Sequence, residues 1–492
     1  MSISFNQVAG DAWLVPGSYV EFDNSLANTA SLALKTLLIA PRLASGIQPA
    51  NEIQRITRKE QAQENLGVGS IGALMVAAAL STSNVIDLHV LAVDENAAGQ
   101  AATTSITVNG SATSTGVFEV LFGDQSAVVN IAAAQTADGI ASSIVAAMNA
   151  KVDWPLVAQV NGSNNAQVDI SLKHKGEIGN GLEIRLEWLG DYPTSPTFSN
   201  DGIGLFSGGT LDPDLDPVLS HLGDEWYQLL VNPYSTDTNM DVLDTTMEDR
   251  FDAMTQLGGL TVTAIRGSLG EATTYAVDRN SFTSTIFGCN KSQSHPFIAA
   301  AALGALASQE LEKDPARPLQ TLQIKEFTPA KRNDSWNAQE RNILLREGIS
   351  TYTTSDDGRA MVESLVTART QNESGFDDNS YRYVNGLMTL QRIRWEQRKM
   401  IASKFPRHKL AEDADLALFG EGQAIMTPKR FKAEMVALYA TFVERGWAQN
   451  IEDYKQTFHA EVNASNTSRM DYTDQITLVN GLRIVAGKMQ FK

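Results

Sequence analysis

The sequence predicts an α/β (α+β) multidomain protein that has a mixed-sheet core domain with helices, an inserted β-rich domain, and extended N- and C-terminal arms. Its 492 residues exceed what a single hydrophobic core usually serves. Strand and helix patterns alternate in two separate stretches, as they do in α/β units. Between these stretches, a segment rich in Ala, Thr, Ser, Gly and Asn alternates with the period of β-strands.

Composition shifts along the chain predict five segments. Overall, 43% hydrophobic and 20% charged residues make an ordinary globular balance. The segments are an N-terminal extended arm at 1–22, an α/β segment at 23–97, an inserted β-rich outer domain at 98–207, an α/β core domain at 208–470, and a C-terminal β-hairpin arm at 471–492.

The first 22 residues carry apolar side chains without helical spacing, and Pro16 and Gly17 interrupt them. This pattern predicts an extended arm, which can bury its side chains only against its own domain or a neighbouring subunit. We expect the contacts of this arm to be made by Phe5, Trp13, Leu14, Val15, Tyr19, Val20 and Phe22.

Two runs of alternating strands and helices predict the core. In the first run, strands are expected at 34–39 and 85–93, around a helical region at 59–80 that Gly67 and Gly69 break. The alternation favours a parallel or mixed sheet. In the second run, strands are expected at 226–232, 260–265 and 283–287, with a helix at 241–256.

The segment between the two runs predicts half-buried strands and one amphipathic helix. The helix is expected at 138–149, and a loop at 202–210 closes the segment. The strands are expected at 104–108, 117–122, 166–172 and 182–188.

The last part of the chain is mostly helical in pattern. Thr427 is expected as the N-cap of one helix, with Pro428 at its first position, because a hydroxyl accepts a free backbone N–H and proline lacks one. The expected helices lie at 338–347, 381–405 and 428–445.

The chain then returns to β alternation at residues 475–491, where Asn480-Gly481 predicts a tight hairpin turn. We expect this C-terminal arm, like the N-terminal one, to bury its side chains against its own domain or a neighbouring subunit. Its expected contact residues are Ile476, Leu478, Leu482, Ile484, Met489 and Phe491.

The charge and the apolar pattern exclude two classes of partner. A formal net charge of −18 argues against nucleic-acid binding, which needs clustered Lys and Arg. The most apolar stretch, residues 297–307, is too short to span a bilayer and predicts a buried helix. The first ten residues lack a signal-peptide pattern, so we expect folding in the cytoplasm. Cys289 is the only cysteine and is expected to be a buried thiol.

Motifs that could carry chemistry are incomplete. Asp212, Asp214 and Asp216 match the start of a calcium loop, but Pro217 replaces the turn glycine, so we expect an acidic loop. The glycines at 267 and 270 predict a strand-to-helix turn. The six histidines form no metal or catalytic motif. We therefore expect no catalytic site, no metal and no cofactor.

One segment departs from the acidic character of the chain. Residues 390–409 carry seven Lys and Arg against the single acidic residue Glu396. On a helix they form a positive stripe. Two interpretations stay open: a solvated face with an internal salt-bridge partner, or a docking face for an acidic partner. We call the following residues the basic helix: Arg392, Arg394, Arg398, Lys399 and Lys404.

Several stretches together resemble the contractile tail sheath proteins of Mu-like bacteriophages. The resemblance covers most of the chain and depends on the order of segments, with no catalytic signature. The ending, with Arg469-Met470-Asp471 before the last β segment, is also similar to that family. The stretches are Gly-Glu-Ile-Gly-Asn-Gly-Leu at 176–182, Tyr-Gln-Leu-Leu-Val-Asn-Pro at 227–233, Glu-Arg-Asn-Ile-Leu-Leu-Arg-Glu-Gly-Ile-Ser at 340–350, and Asp-Asp-Asn-Ser-Tyr-Arg-Tyr-Val-Asn at 377–385.

The resemblance implies a non-enzymatic subunit that stacks helically around a rigid tail tube and contracts to drive the tube through the host envelope. It further implies that neighbours exchange their terminal arms, and that the partners are other copies, the tail tube, the baseplate and the tail terminator. With a tail tube among the partners, we expect the basic helix to face that tube. Two alternatives stay open at this point: another virion structural protein of the baseplate or tail, or a phage-associated hydrolase.

Overall fold

The computed structural model of the protein describes residues 33–189, 195–420 and 423–491. In the first part of the described chain, Gly67 and Gly69 have positive φ angles and separate two helices, as predicted. The elements of this part are β1 (Lys35–Pro41), β2 (Ile53–Arg55), α1 (Lys59–Leu66), α2 (Ile71–Thr82) and β3 (Asp87–Val93).

The next part contains eight strands and one helix. Thr136 caps that helix, because its hydroxyl accepts the N–H of Gly139 at 3.2 Å. The elements are β4 (Ala101–Asn109), β5 (Gly116–Phe122), β6 (Gln125–Ile131), α3 (Ala137–Asn149), β7 (Leu156–Val160), β8 (Gln167–Lys175), β9 (Glu183–Leu189), β10 (Thr197–Phe198) and β11 (Ile203–Leu205).

The chain then returns to alternating helices and strands. The strand predicted at 260–265 has those bounds, and the Ala-rich stretch at 297–307 lies within a buried helix as predicted. The elements are α4 (Leu215–Leu219), β12 (Leu229–Val231), α5 (Asp237–Phe251), β13 (Leu260–Ile265), α6 (Leu269–Val277), β14 (Ser284–Gly288), α7 (Pro296–Lys313), α8 (Ala338–Arg346), β15 (Ile349–Thr354) and β16 (Ala360–Ser364).

The last part of the described chain is formed by three helices and short strands. Thr427 caps one of these helices as predicted, since its hydroxyl accepts the N–H of Arg430 at 3.4 Å. The elements are α9 (Val384–Lys404), β17 (Lys409–Leu410), β18 (Ile425–Met426), α10 (Pro428–Glu444), β19 (Ala448–Gln449), α11 (Ile451–Thr457), β20 (His459–Val462), β21 (Met470–Thr473) and β22 (Thr477–Leu478).

The core is one eight-stranded sheet in the order β16-β15-β14-β13-β12-β1-β3-β2. Its six inner strands are parallel, and the edge strands β16 and β2 pair antiparallel. Since β1 and β3 lie beside β12, the two α/β runs build a single sheet. The prediction of a mixed α/β fold is confirmed.

The elements between β3 and β12 form two four-stranded antiparallel sheets, in the orders β10-β4-β8-β7 and β11-β9-β5-β6. Isolated bridges join Gln100 to Thr210 and Thr103 to Ser207, where the chain enters and leaves this part. An antiparallel arrangement suits segments that alternate between buried and exposed residues, as these strands do.

Helices cover both faces of the core sheet, which explains why its inner strands are almost wholly buried. Leu38 and Val231 belong to the buried cluster that includes α2 and α7, whereas Leu37 belongs to the cluster that includes α4 and α5. In α7, Gly304 lies against β12 so closely that an added Cβ would be 2.4 Å from a methyl of Val231. The close approach requires glycine at this position.

Candidate functional site

The root of the C-terminal arm belongs to the body of the subunit. Strand β22 pairs with β19, and Ile476 and Leu478 pack against a buried cluster formed around α10. The hydroxyl of Tyr439 accepts the N–H of Thr477 at 3.3 Å, and the side-chain amide of Gln449 donates to the carbonyl of Leu478 at 2.9 Å. Two of the six predicted arm residues therefore have partners in their own chain.

Residues 479–491, which we call the C-terminal tail, form no helix or strand. The predicted hairpin at Asn480-Gly481 is wrong in this structure, because neither residue has the positive φ that such a turn requires. Gly481 lies instead against Pro318, where an added Cβ would be 2.4 Å from the proline ring. Contacts with distant residues have replaced the local turn.

The tail exposes the other four predicted arm residues. Leu482 is 72% exposed, Ile484 86%, Met489 96% and Phe491 97%. Val485 adds a further exposed apolar side chain between them. A run of large apolar side chains in water is unfavourable, so such a run marks a surface that another molecule covers.

The N-terminal arm residues, Phe5, Trp13, Leu14, Val15, Tyr19, Val20 and Phe22, lie outside the described part of the chain. Leu34, close to the start of that part, leads directly into β1, a central strand of the core sheet. The role of these seven residues stays a prediction.

An open β-hairpin lies beside the root of the tail. Strands β20 and β21 pair only with each other among the described strands, so both outer edges carry free backbone groups. A two-stranded hairpin is marginal in stability, and added strands would extend it. The turn is held by the side chain of Asn463, which donates to Asp471 at 2.6 Å.

The basic helix is α9, and its charges have partners within the subunit. Arg392 forms an ion pair with Glu396 at 3.2 Å, and Lys404 forms one with Glu434 at 2.7 Å. Arg392 and Lys399 also lie over the ring of Trp395 at 4.8 and 4.9 Å. These contacts match the internal-partner interpretation of the stripe.

Two further arginines of α9 hold the loop that follows α5. Arg394 donates to the carbonyl of Phe251 at 2.8 Å and lies 4.5 Å from its ring centroid. Arg398 donates to the carbonyl of Gln256 at 3.3 Å. Burial lowers the pKa of Arg394, with Arg398 adding to the effect. A tube-facing role of α9 stays a prediction.

Comparison with known proteins identifies the family to which this chain belongs. The family description "Phage tail sheath protein central domain" matches residues 208–368, and "Phage tail sheath C-terminal domain" matches residues 377–492. The Mu-like prophage FluMu tail sheath protein of Haemophilus influenzae is 33% identical over 493 residues, which covers 100% of both chains. The chain belongs to the phage tail sheath family.

Solved structures of tail sheath proteins are also similar to this chain. A sheath tail protein from Desulfitobacterium hafniense is 11% identical, with a TM-score of 0.48, over 94% of this chain and 100% of that one. A sheath tail protein from Listeria innocua is 12% identical, with a TM-score of 0.48, over 91% of this chain and 92% of that one.

A tail sheath subunit is a structural part of the virion tail and not an enzyme. In the described residues, no group of three His, Cys, Asp or Glu could hold a metal ion. The carboxylate of Asp212 accepts the N–H of Ile178 at 3.0 Å, and Asp214 caps α4.

Cys289 is buried, which raises the pKa of its thiol. No described helix is both long and apolar enough to cross a bilayer.

The Gly267–Gly270 turn leads from β13 into α6, as predicted. Ser268 caps α6, and its N–H and hydroxyl both donate to Glu271, at 2.7 and 2.8 Å. These donors lower the pKa of Glu271. The N-terminal end of the helix is thereby satisfied by its own chain.

Sequence reasoning missed Arg483 in the C-terminal tail. It lies between two expected contact residues, Leu482 and Ile484, and a cation flanked by apolar residues in an alternating segment was the available signal. The open edges of β20 and β21 were missed as well, because pairing partners cannot be assigned from one strand pattern.

Proposed function

We propose that this sheath subunit polymerises helically around an inner tail tube, that neighbouring copies are joined by exchanged N- and C-terminal arms, and that the polymer contracts to drive the tube through the host envelope. The C-terminal tail carries the proposal. Its apolar side chains beyond Arg483 are exposed in the single chain. A neighbouring copy supplies the surface that covers them.

Strand addition is the mode of contact that fits both partners. An extended tail offers backbone hydrogen bonds along its length and alternate side chains for pockets. An open hairpin such as β20–β21 offers free backbone groups at both edges. Because donor and acceptor surfaces differ, the contact is heterologous and propagates into rings or open helices.

Contraction in this proposal needs two packings of the same subunits and no nucleotide. Assembly leaves the sheath in an extended packing, separated from a more stable packing by a barrier. The arms keep neighbours connected while the bodies move. The tail tube, the baseplate and the tail terminator are the other partners that we propose, as the family resemblance implies.

The acidity of the chain sets a condition for assembly. With a formal net charge of −18, copies that approach one another repel at low ionic strength. Added salt screens this repulsion, whereas contacts made by buried apolar side chains depend little on salt. Moderate salt is therefore expected to favour the polymer.

Deletion of residues 484–492 tests the proposal, because it removes exposed apolar side chains and leaves Arg483, which donates to Ser364 and Asn385 of the body. We expect the shortened chain to keep its melting temperature and to lose the polymer, as seen by electron microscopy and sedimentation. Deletion of residues 1–22 is expected to do the same. The full-length chain is the control. Ordered cylinders from either shortened chain would contradict arm exchange.

A further inference from the structure

Arg483 is held by three side chains from distant parts of the sequence. Its guanidinium donates to the hydroxyl of Ser364 at 3.2 Å and to the side-chain oxygen of Asn385 at 2.8 Å. The same group lies 3.6 Å from the ring centroid of Tyr383. Burial lowers the pKa of Arg483.

These partners connect two structural elements of the body. Ser364 ends β16, the edge strand of the core sheet, and is 8% exposed. Tyr383 is the N-cap residue of α9, and Asn385 lies in its first turn. Asn385 is itself fixed, because its amide donates to the carbonyl of Ala316 at 3.2 Å. Arg483 therefore joins the tail to the junction of sheet and helix.

The residues just before Arg483 are held by the loop after α7. The side chain of Gln320 donates to the carbonyl of Leu482 at 3.1 Å, and Gly481 lies against Pro318. The N–H of Val479 donates to the carbonyl of Trp447 at 3.1 Å. A backbone hydrogen bond and side-chain contacts thus fix residues 479–483 to the body beyond the end of β22.

We propose that Arg483 is the anchor of the C-terminal arm: it fixes where residues 484–491 leave the body and transmits tension in the arm to β16 and α9. This inference rests on the proposed function, since tension arises only when the arm is bound to a second copy. The partner of the arm is another copy of this chain, and Arg483 is a positioning residue that does not itself need to touch that copy.

The anchor matters because the pairing upstream of it is short. Strand β22 has two residues paired with β19, so it offers little resistance to peeling. Without the anchor, about five more residues would come loose, which adds roughly 16 Å of slack. A longer free linker lowers the effective concentration of the arm at its acceptor site.

Arg483→Ala is the first test, with Lys488→Ala as a control that removes the same charge beyond the anchor. In the unassembled full-length chain, we expect Arg483→Ala to speed amide hydrogen exchange at Val479, whose N–H donates to the carbonyl of Trp447, at least tenfold. Lys488→Ala is expected to leave exchange there unchanged. Arg483→Lys keeps the charge but loses the planar fork, so it is expected to fall between them.

Assembly supplies the second readout. We expect Arg483→Ala to raise the concentration needed for polymer formation several-fold relative to the wild type, at an unchanged melting temperature. Tyr383→Leu removes the opposite side of the contact and is expected to give the same local increase in exchange, which keeps the test valid if Arg483→Ala folds poorly. If amide hydrogens in residues 479–483 exchange at the wild-type rate in both Arg483→Ala and Tyr383→Leu, the anchor proposal is wrong.

The two proposals fail in different ways. If deletion of 484–492 leaves assembly intact, arm exchange is wrong, whatever the exchange rates at 479–483 show. If that deletion abolishes assembly while Arg483→Ala assembles as well as the wild type, the anchor is wrong and arm exchange stands.

Discussion

The core sheet and the C-terminal tail both contain runs of large apolar residues, but their side chains have opposite surroundings. In β1, Leu37, Leu38 and Ile39 are 0% exposed, because parallel strands β12 and β3 flank them and helices cover both faces. In the tail, Ile484 and Phe491 are 86% and 97% exposed. An apolar β pattern therefore predicts that a segment needs neighbours, but it does not say which chain supplies them.

The edges of the two regions show the same contrast. The core sheet ends in the short antiparallel strands β16 and β2, which limit further pairing. The hairpin β20–β21 next to the tail leaves both edges open within the described chain. The core sheet is closed by its own residues. In the described C-terminal part, by contrast, residues 479–491 belong to no strand and the hairpin β20–β21 leaves both outer edges unpaired.

A pair of identical substitutions gives the largest expected difference between the regions. Leu38→Ala should cost about 2–5 kcal/mol of unfolding free energy, because it leaves a cavity in the core. Leu482→Ala, at a residue that is 72% exposed, should change it by less than about 0.5 kcal/mol. Urea denaturation of the unassembled chain measures both. Equal losses of unfolding free energy in the two variants would contradict the comparison, since the tail would then be part of the folded core.

A buried carboxylate tests how strictly the core excludes water. Burial raises the pKa of Asp244 to about 6, although the hydroxyl of Ser284 donates to it. The folded state therefore holds a proton that the unfolded state has lost, and this contribution to stability is present below about pH 4 and lost as pH rises through 6.

Asp244→Asn removes that titration while keeping the acceptor for Ser284. We expect the variant to be more stable than the wild type at pH 7 by up to about 3 kcal/mol, with the difference vanishing towards pH 4. Thermal melting between pH 4 and 7.5 measures it. Parallel pH curves for the two proteins would show that Asp244 stays charged in the fold.

The smallest expected effect on stability concerns the basic helix. Arg398→Glu loses one long hydrogen bond to Gln256, so the unfolding free energy should change by less than about 0.5 kcal/mol. If α9 faces the tube, this change together with Arg394→Glu should weaken tube docking at low salt. If the variant that carries both changes docks to the tube as the wild type does, the tube-facing role is wrong and α9 is only an internal support.

Local signals explain which elements could be predicted. Strand β13 is bounded by Gly258-Gly259 and Gly267, and α10 begins at a hydroxyl cap followed by proline, so sequence neighbours define both. The strand predicted at 226–232 is shorter, at Leu229–Val231, although Gln228 and Asn232 still form backbone hydrogen bonds to the neighbouring strands. The local pattern located the strand but not its ends.

The candidate site was predicted only in part, because residues distant in the sequence make several of its contacts. The apolar tail residues were visible in the alternation, and four of the six are exposed. The Asn480-Gly481 turn failed because Pro318 and Gln320, more than 150 residues earlier, hold that backbone. The contacts of Arg483 join residues 364, 383 and 385, a combination that no spacing rule in one sequence can reveal.

The order of strands in the core sheet also governs when the protein can fold during synthesis. Strands β1 and β12 are neighbours, yet the hydrogen bond that joins Lys35 to Gln228 spans 193 residues. At ribosomal rates of about 5–20 residues per second, β1 waits roughly 10–40 s for its partner. The antiparallel sheets in between close over short distances and can form first. Newly made β1 and β3 are thus the segments that a nascent-chain chaperone has reason to shield.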